Sequence, residues 1–198
     1  MKIVDCSEQV KQQRIGLLNQ LRDRMGGSWA KKEAPAQESA IAALQKVLDN
    51  RFVMLKNVPL KGLDLPIPLV LIGPPGIRVL YASNLKGVFQ AREEAWEILD
   101  NTTQRFKAAR PNLLNRTALM GRAVGLFLTS QNLKIESQEA ALVFTNPGTH
   151  VDSTRPMVRV VLADSLDRYG ASLLQSRAFL DQDEVQKIVR VFTGEAEV

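Results

Sequence analysis

Apolar and polar positions along the chain change period several times, and each change marks an element. Val10, Leu17, Leu18, Leu21 and Met25 recur at three, four and seven residues, which predicts an amphipathic helix over residues 8 to 25. Gly26 and Gly27 end it, and "GGSWAKKEAPAQ" has no period and predicts a linker. Residues 1 to 33 are therefore expected to be an appended helix and linker, with one domain from 34 to 198. In "ESAIAALQKVLDN" the residues Ile41, Leu44, Val47 and Leu48 share one helical face. Three strands are expected next, in "RFVMLKNVPL", "IPLVLIG" and "IRVLYAS", with Lys61 and Gly62 turning the chain between the first two. Pro75 and Gly76 suit the second and third positions of a type II turn, because proline supplies the negative φ and glycine accepts the positive one.

From Ala91 to about Leu128 the spacing predicts two helices, "AREEAWEILDNTTQRF" and "NLLNRTALMGRAVGLFLTS", separated by Pro111. Two apolar strands follow in "EAALVFTNPG" and "MVRVVLADS". Two closing helices complete the chain, the second capped by Asp181 or Asp183. The expected fold is a mixed β-sheet flanked by helices, of the α/β or α+β class.

Composition narrows the chemistry. The chain has 198 residues, 45% hydrophobic and 24% charged, enough for one sizeable core. Its apolar runs fall far short of the roughly 20 residues of a membrane span, and the N-terminus has no secretory h-region, so a cytoplasmic protein without a membrane partner is expected. Cys6 and His150 are the only residues of their types, which excludes an internal disulfide and any cysteine- or histidine-rich metal cage. Cys6 is expected in a frayed terminus and His150 in a solvated loop.

The net charge of +5 is unevenly placed, since Arg105, Lys107, Arg110, Arg116, Arg122 and Lys134 fall within Asn101 to Ile135 without one acid. This is either a solvated helical face or a track for phosphates. In "GPPGIRVLY" the glycines lead into a strand rather than to Lys-Ser/Thr on a helix, which excludes a Walker A loop.

The segment "IPLVLIGPPGIRVLYASNLKG", preceded by "ESAIAALQKVL" and "FVMLKNVPL" and followed by "ALVFTNPG" and "VVLADSLDRY", resembles the nuclease-related domain, a branch of the PD-(D/E)XK restriction-endonuclease-like nucleases, over residues 36 to 192. The resemblance implies a restriction-endonuclease-like core with Glu38 at the family's helix glutamate. It also implies an altered site, because Pro68 stands where the strand aspartate belongs, Tyr81 replaces the second carboxylate and Ser83 replaces the lysine.

Two carboxylates would hold Mg²⁺, and a lysine beside it would orient the water and offset phosphate charge. Proline, tyrosine and serine do none of this. The resemblance therefore implies a pseudo-nuclease, with no metal and no cofactor, serving as a binding module. A protein partner is slightly favoured, docked through the N-terminal helix. DNA or RNA on Arg105, Lys107, Arg110, Arg116 and Arg122 is the other candidate. Two alternatives stand beside it: a Mg²⁺-dependent endonuclease with a displaced site of Asp64, Glu38 and Lys86, and an unrelated α/β interaction protein.

Overall fold

The computed structural model describes residues 1–9, 19–60 and 66–194, with the side chains of 19–32 left out of the description. Two mixed sheets and their helices make an α+β fold. The larger sheet has six strands in the order β1 (Lys2–Asp5), β2 (Val53–Val58), β3 (Ile67–Gly73), β4 (Gly76–Ser83), β8 (Gln138–Phe144) and β10 (Arg159–Val161). β2, β3 and β4 form an antiparallel meander; β1 joins β2 in parallel, and β8 and β10 follow β4 in parallel.

Every residue of β3 and β4 is buried, so these strands read as continuous apolar runs, as strands covered on both faces do. On one face lie α1 (Asn19–Val47) and α3 (Leu166–Gln175), closing Ile41, Leu44, Tyr169 and Leu173 over Met54, Leu71 and Leu80. On the other lie α2 (Leu113–Ser130) and α4 (Gln182–Thr193), which cover Val53, Val70, Val79 and Leu142. Helix α2 can lie close because Gly121 has no side chain; a Cβ there would sit 2.9 Å from the Cβ of Ala140.

The hairpin is as expected in its strands and burial, and its turn is tighter. Gly73 pairs with Gly76 around Pro74 and Pro75, and Gly76 takes the positive φ of 104°. Only glycine fits there, since a Cβ would lie 2.1 Å from the Ser137 carbonyl oxygen.

The smaller sheet corrects the expected helix "AREEAWEILDNTTQRF". Those residues form β5 (Gly87–Arg92), β6 (Ala95–Asp100) and β7 (Arg105–Ala108), with β9 (Thr149–Thr154) parallel to β5. Alternation decides the matter: Phe89, Ala91 and Trp96 turn inward while Val88, Arg92 and Ala95 are exposed. Phe89 stacks on Trp96 at 4.7 Å between centroids, and Phe144 of β8 lies 5.9 Å and 5.8 Å from them, which joins the two sheets.

The N-terminal expectations also need correction. Lys2–Asp5 is a strand of the larger sheet, and Cys6 is buried with its N–H donating to Lys56 O, so this end is packed rather than frayed. The expected linker lies inside α1 despite Gly26, Gly27 and Pro35. Burial of Ala36, Ala40, Ile41 and Leu44 along one face outweighs those local penalties, about 1 kcal/mol for a glycine and about 3 kcal/mol for a proline. Val10, Leu17 and Leu18 of the expected stripe, and the turn at Lys61 and Gly62, lie outside the described residues.

Helix α4 opens as expected on Asp181, whose carboxylate accepts from the Glu184 N–H while Glu184 accepts from the Asp181 N–H, each at 2.8 Å. Among the described residues no helix is long and apolar enough to cross a membrane.

Candidate functional site

The meander brings Pro68, Tyr81 and Ser83 together at one end of the larger sheet. Leu69 pairs with Leu80, so Pro68 stands one step further, in register with Tyr81. Across β2 the same proline falls between the pairs Lys56 with Leu69 and Val58 with Ile67, opposite Asn57. Proline has no N–H for the ladder, and Asn57 leaves strand geometry with φ 54°. The Asn57 amide donates to Ser7 Oγ at 3.0 Å and to Asp5 Oδ1 at 3.3 Å. Ser83 is buried and structural. Its Oγ accepts from the Leu85 N–H at 3.3 Å, and its carbonyl accepts from the Thr145 N–H at 2.9 Å.

Tyr81 carries the site. Its hydroxyl donates to Oε1 of Glu33 on α1. Arg116 of α2 reaches the same oxygen, with Nη1 at 3.5 Å, and lays its guanidinium 4.9 Å from the centre of the Tyr81 ring. Three elements thus converge on one carboxylate. Burial pushes the Glu33 carboxyl above its ordinary value, with the Tyr81 hydrogen bond and the Arg116 charge pulling the other way. Burial and the neighbouring Glu33 raise Tyr81 as well, so its hydroxyl stays protonated and remains a donor.

A guanidinium satisfies this carboxylate. In the two-carboxylate site implied by the resemblance, a metal ion would do so. Among the described residues no group of three or more His, Cys, Asp and Glu is placed to share an ion.

The other expected residues are spread out. Glu38 is exposed and pairs with Lys56 of β2, which also lies 3.9 Å from Asp5 Oδ2. Lys86 is exposed between β4 and β5, and Asp64 lies outside the described residues. His150 is exposed, but on β9 rather than in a loop.

The five basic candidates do not form one helical face, because the first two belong to edge strand β7. Lys107 pairs with Asp100 at 2.8 Å, which holds that carboxyl down at about 2. Arg105 and Arg110 are exposed, Arg116 turns toward Glu33, and Arg122 is exposed on α2.

Glu33 is the site residue that pattern reading missed, since it lies in the segment taken as a linker. A signal was present: Glu33, Gln37, Ala40, Ile41 and Leu44 follow helical spacing, which extends the buried face of α1 back to Glu33. Comparison of the chain with protein families, curated proteins and solved structures gave no match.

Proposed function

We propose that the chain is a non-catalytic binding domain on a nuclease-related, restriction-endonuclease-like scaffold. The observation that carries this reading is the Glu33, Tyr81 and Arg116 cluster, in which a tyrosine and an arginine meet one carboxylate where the family resemblance implies two carboxylates holding Mg²⁺. The run from helix α1 into the antiparallel strands β2, β3 and β4 supports the same scaffold, with strands β5, β6 and β7 intervening before helix α2 and strand β8. Incubation with single- and double-stranded DNA and RNA in Mg²⁺ or Mn²⁺ is expected to give no cleavage. Metal-dependent cleavage abolished by Asp64→Ala would overturn the reading in favour of a displaced site.

The partner proposed is a protein, bound as an acidic amphipathic helix on the outer face of α2. Leu119 and Leu126 are 62% and 66% exposed, two turns apart on that face, with the exposed Arg122 between them and no acid anywhere in the helix. A nucleic-acid partner is the second candidate, weakened by the dispersal of the basic residues. Anisotropy with labelled duplex and single-stranded oligonucleotides at 50 and 200 mM salt separates the two. A face with three or four phosphate contacts loses roughly two orders of magnitude in affinity over that range. A protein-binding domain shows no such saturable, salt-steep binding.

A further inference from the structure

The opposite end of the larger sheet, beside the Pro74–Pro75 turn, holds a gap. Strand β10 pairs only with Ala141–Val143 of β8, so Gln138–Ala140 have no strand on their outer side among the described residues. The Ile77 N–H donates to Ser137 O at 3.0 Å, which fixes the alternation. The main-chain groups of Glu139 therefore face β4, while those of Gln138 and the N–H of Ala140 face outward into the gap, the Ala140 carbonyl being the first acceptor of the β10 ladder. A cavity of about 380 Å³ occupies that place, walled by this strand edge, by Ala118 and Arg122 of α2, and by Met157, Val158 and Arg159 on the approach to β10.

The walls carry a surplus of positive charge. Glu139 is the one carboxylate lining the cavity, and it serves two guanidiniums: Arg78 Nε lies 3.2 Å from its Oε2 and Arg159 Nη1 lies 3.8 Å from its Oε1. Neither contact is well made. Arg78 is only 8% exposed; its Nη1 donates to Ile77 O at 3.0 Å and Ser137 Oγ at 3.3 Å, while its Nε meets Glu139 as an ion pair without a well-formed hydrogen bond. Arg159 is held 5.0 Å over the Tyr169 ring, which orders its guanidinium without satisfying it. Arg122 and Arg159 are the two cations lining the cavity, against the single carboxylate of Glu139.

A guanidinium forks onto a carboxylate or phosphate, outward main-chain N–H groups add donors, and Ala118, Met157 and Val158 present carbon. The volume falls within the range of small-molecule sites. We propose that this slot binds a small organic oxyanion, its carboxylate or phosphate taken by Arg122 and Arg159 and its carbon body lying on Ala118, Met157 and Val158. The site is separate from the Glu33 cluster and stands whether or not the scaffold is nuclease-related.

Titration of the ¹⁵N-labelled full chain with benzoate, phenyl phosphate, inorganic phosphate and benzyl alcohol tests it. Saturable shifts at the amides of Gln138, Ala140 and Arg159 are expected with benzoate, phenyl phosphate or both, and whichever binds tighter identifies the oxyanion. Inorganic phosphate should bind at least tenfold more weakly, and benzyl alcohol not at all. Arg122→Gln with Arg159→Gln should weaken binding at least tenfold, while Arg105→Gln with Lys107→Gln, an equal change of charge on β7, leaves it unaltered. Should the double variant unfold, Arg122→Gln alone carries the test, because that side chain is exposed on α2. Shifts that do not saturate, equal weakening by the β7 variant, or equal binding of benzyl alcohol would overturn the proposal.

Discussion

The two sheets solve the same problem in different ways. In the larger, β3 and β4 are buried at every residue between two helical layers, and hydrophobic burial on both faces holds them. In the smaller, β7 is exposed along its whole length, and β9 buries only Thr149 fully. That sheet is held by its ladder and by Phe89, Ala91 and Trp96, which join the core beside Leu113 and Leu114 and of which the two aromatics stack on Phe144. Local opening should therefore begin in the smaller sheet, since segments with few buried contacts exchange first.

The largest effect is expected of Trp96→Ala, which removes the inward aromatic of β6. A loss of about 3–5 kcal/mol is expected by denaturant unfolding, as for other buried aromatic truncations. Amide exchange should rise first in residues 87–108, before β3 and β4. Equal loss of protection in both sheets would show that they open together.

Arg116→Met comes next and tests the larger sheet's polar inset. It leaves a mostly buried Glu33 with Tyr81 as the partner described for it, at a cost of about 2 kcal/mol at pH 7. The sign with pH is definite. Glu33 is raised in the folded chain, so its contribution is fully present below its ordinary value of 4.5 and is lost as pH rises through the folded value. Without Arg116 the folded value climbs further, so the variant's deficit should grow from pH 4.5 toward neutrality. A deficit independent of pH would mean that Arg116 acts through packing alone.

Asp181→Ala should cost about 1 kcal/mol through loss of the α4 capping box, without selectivity between the sheets. The smallest effect belongs to Lys107→Ala on the exposed strand. The Asp100 carboxyl, held at about 2, should return toward its ordinary 3.8 in an NMR titration. Because that value is lowered, the pair favours the fold above pH 3.8 and ceases to do so as pH falls through about 2. No measurable change is expected at neutral pH, as is usual for solvated pairs.

The same contrast governs what could be read from the chain. The β3–β4 hairpin was legible because buried strands leave unbroken apolar runs bounded by glycine and proline, and α4 because its cap has a side-chain signature. The smaller sheet was not. Its first turn uses Glu93 and Glu94, with Glu93 at φ 49°, where glycine or asparagine would have announced a hairpin. Ala91, Ala95, Trp96 and Leu99 also fall at helical spacing by coincidence, and "THVDST" of β9 is too polar to register as a strand. At the candidate site Tyr81 could be singled out through the family resemblance and Arg116 through its place in the acid-free basic run. Glu33 was harder to place: its helical spacing marks a buried face, but its contact with Tyr81, 48 residues away, leaves no local trace.

That remoteness has a kinetic side. Tyr81 and Glu33 are 48 residues apart, and Arg116 comes from a third element further on. Their junction can close only after the meander and both flanking helices have docked, since the entropy of closing such loops must be met before the contact rewards it. The cluster should therefore act as a late latch. Arg116→Met is expected to hasten unfolding while leaving the refolding rate nearly unchanged, so the latch governs how long the native state persists more than how quickly it forms.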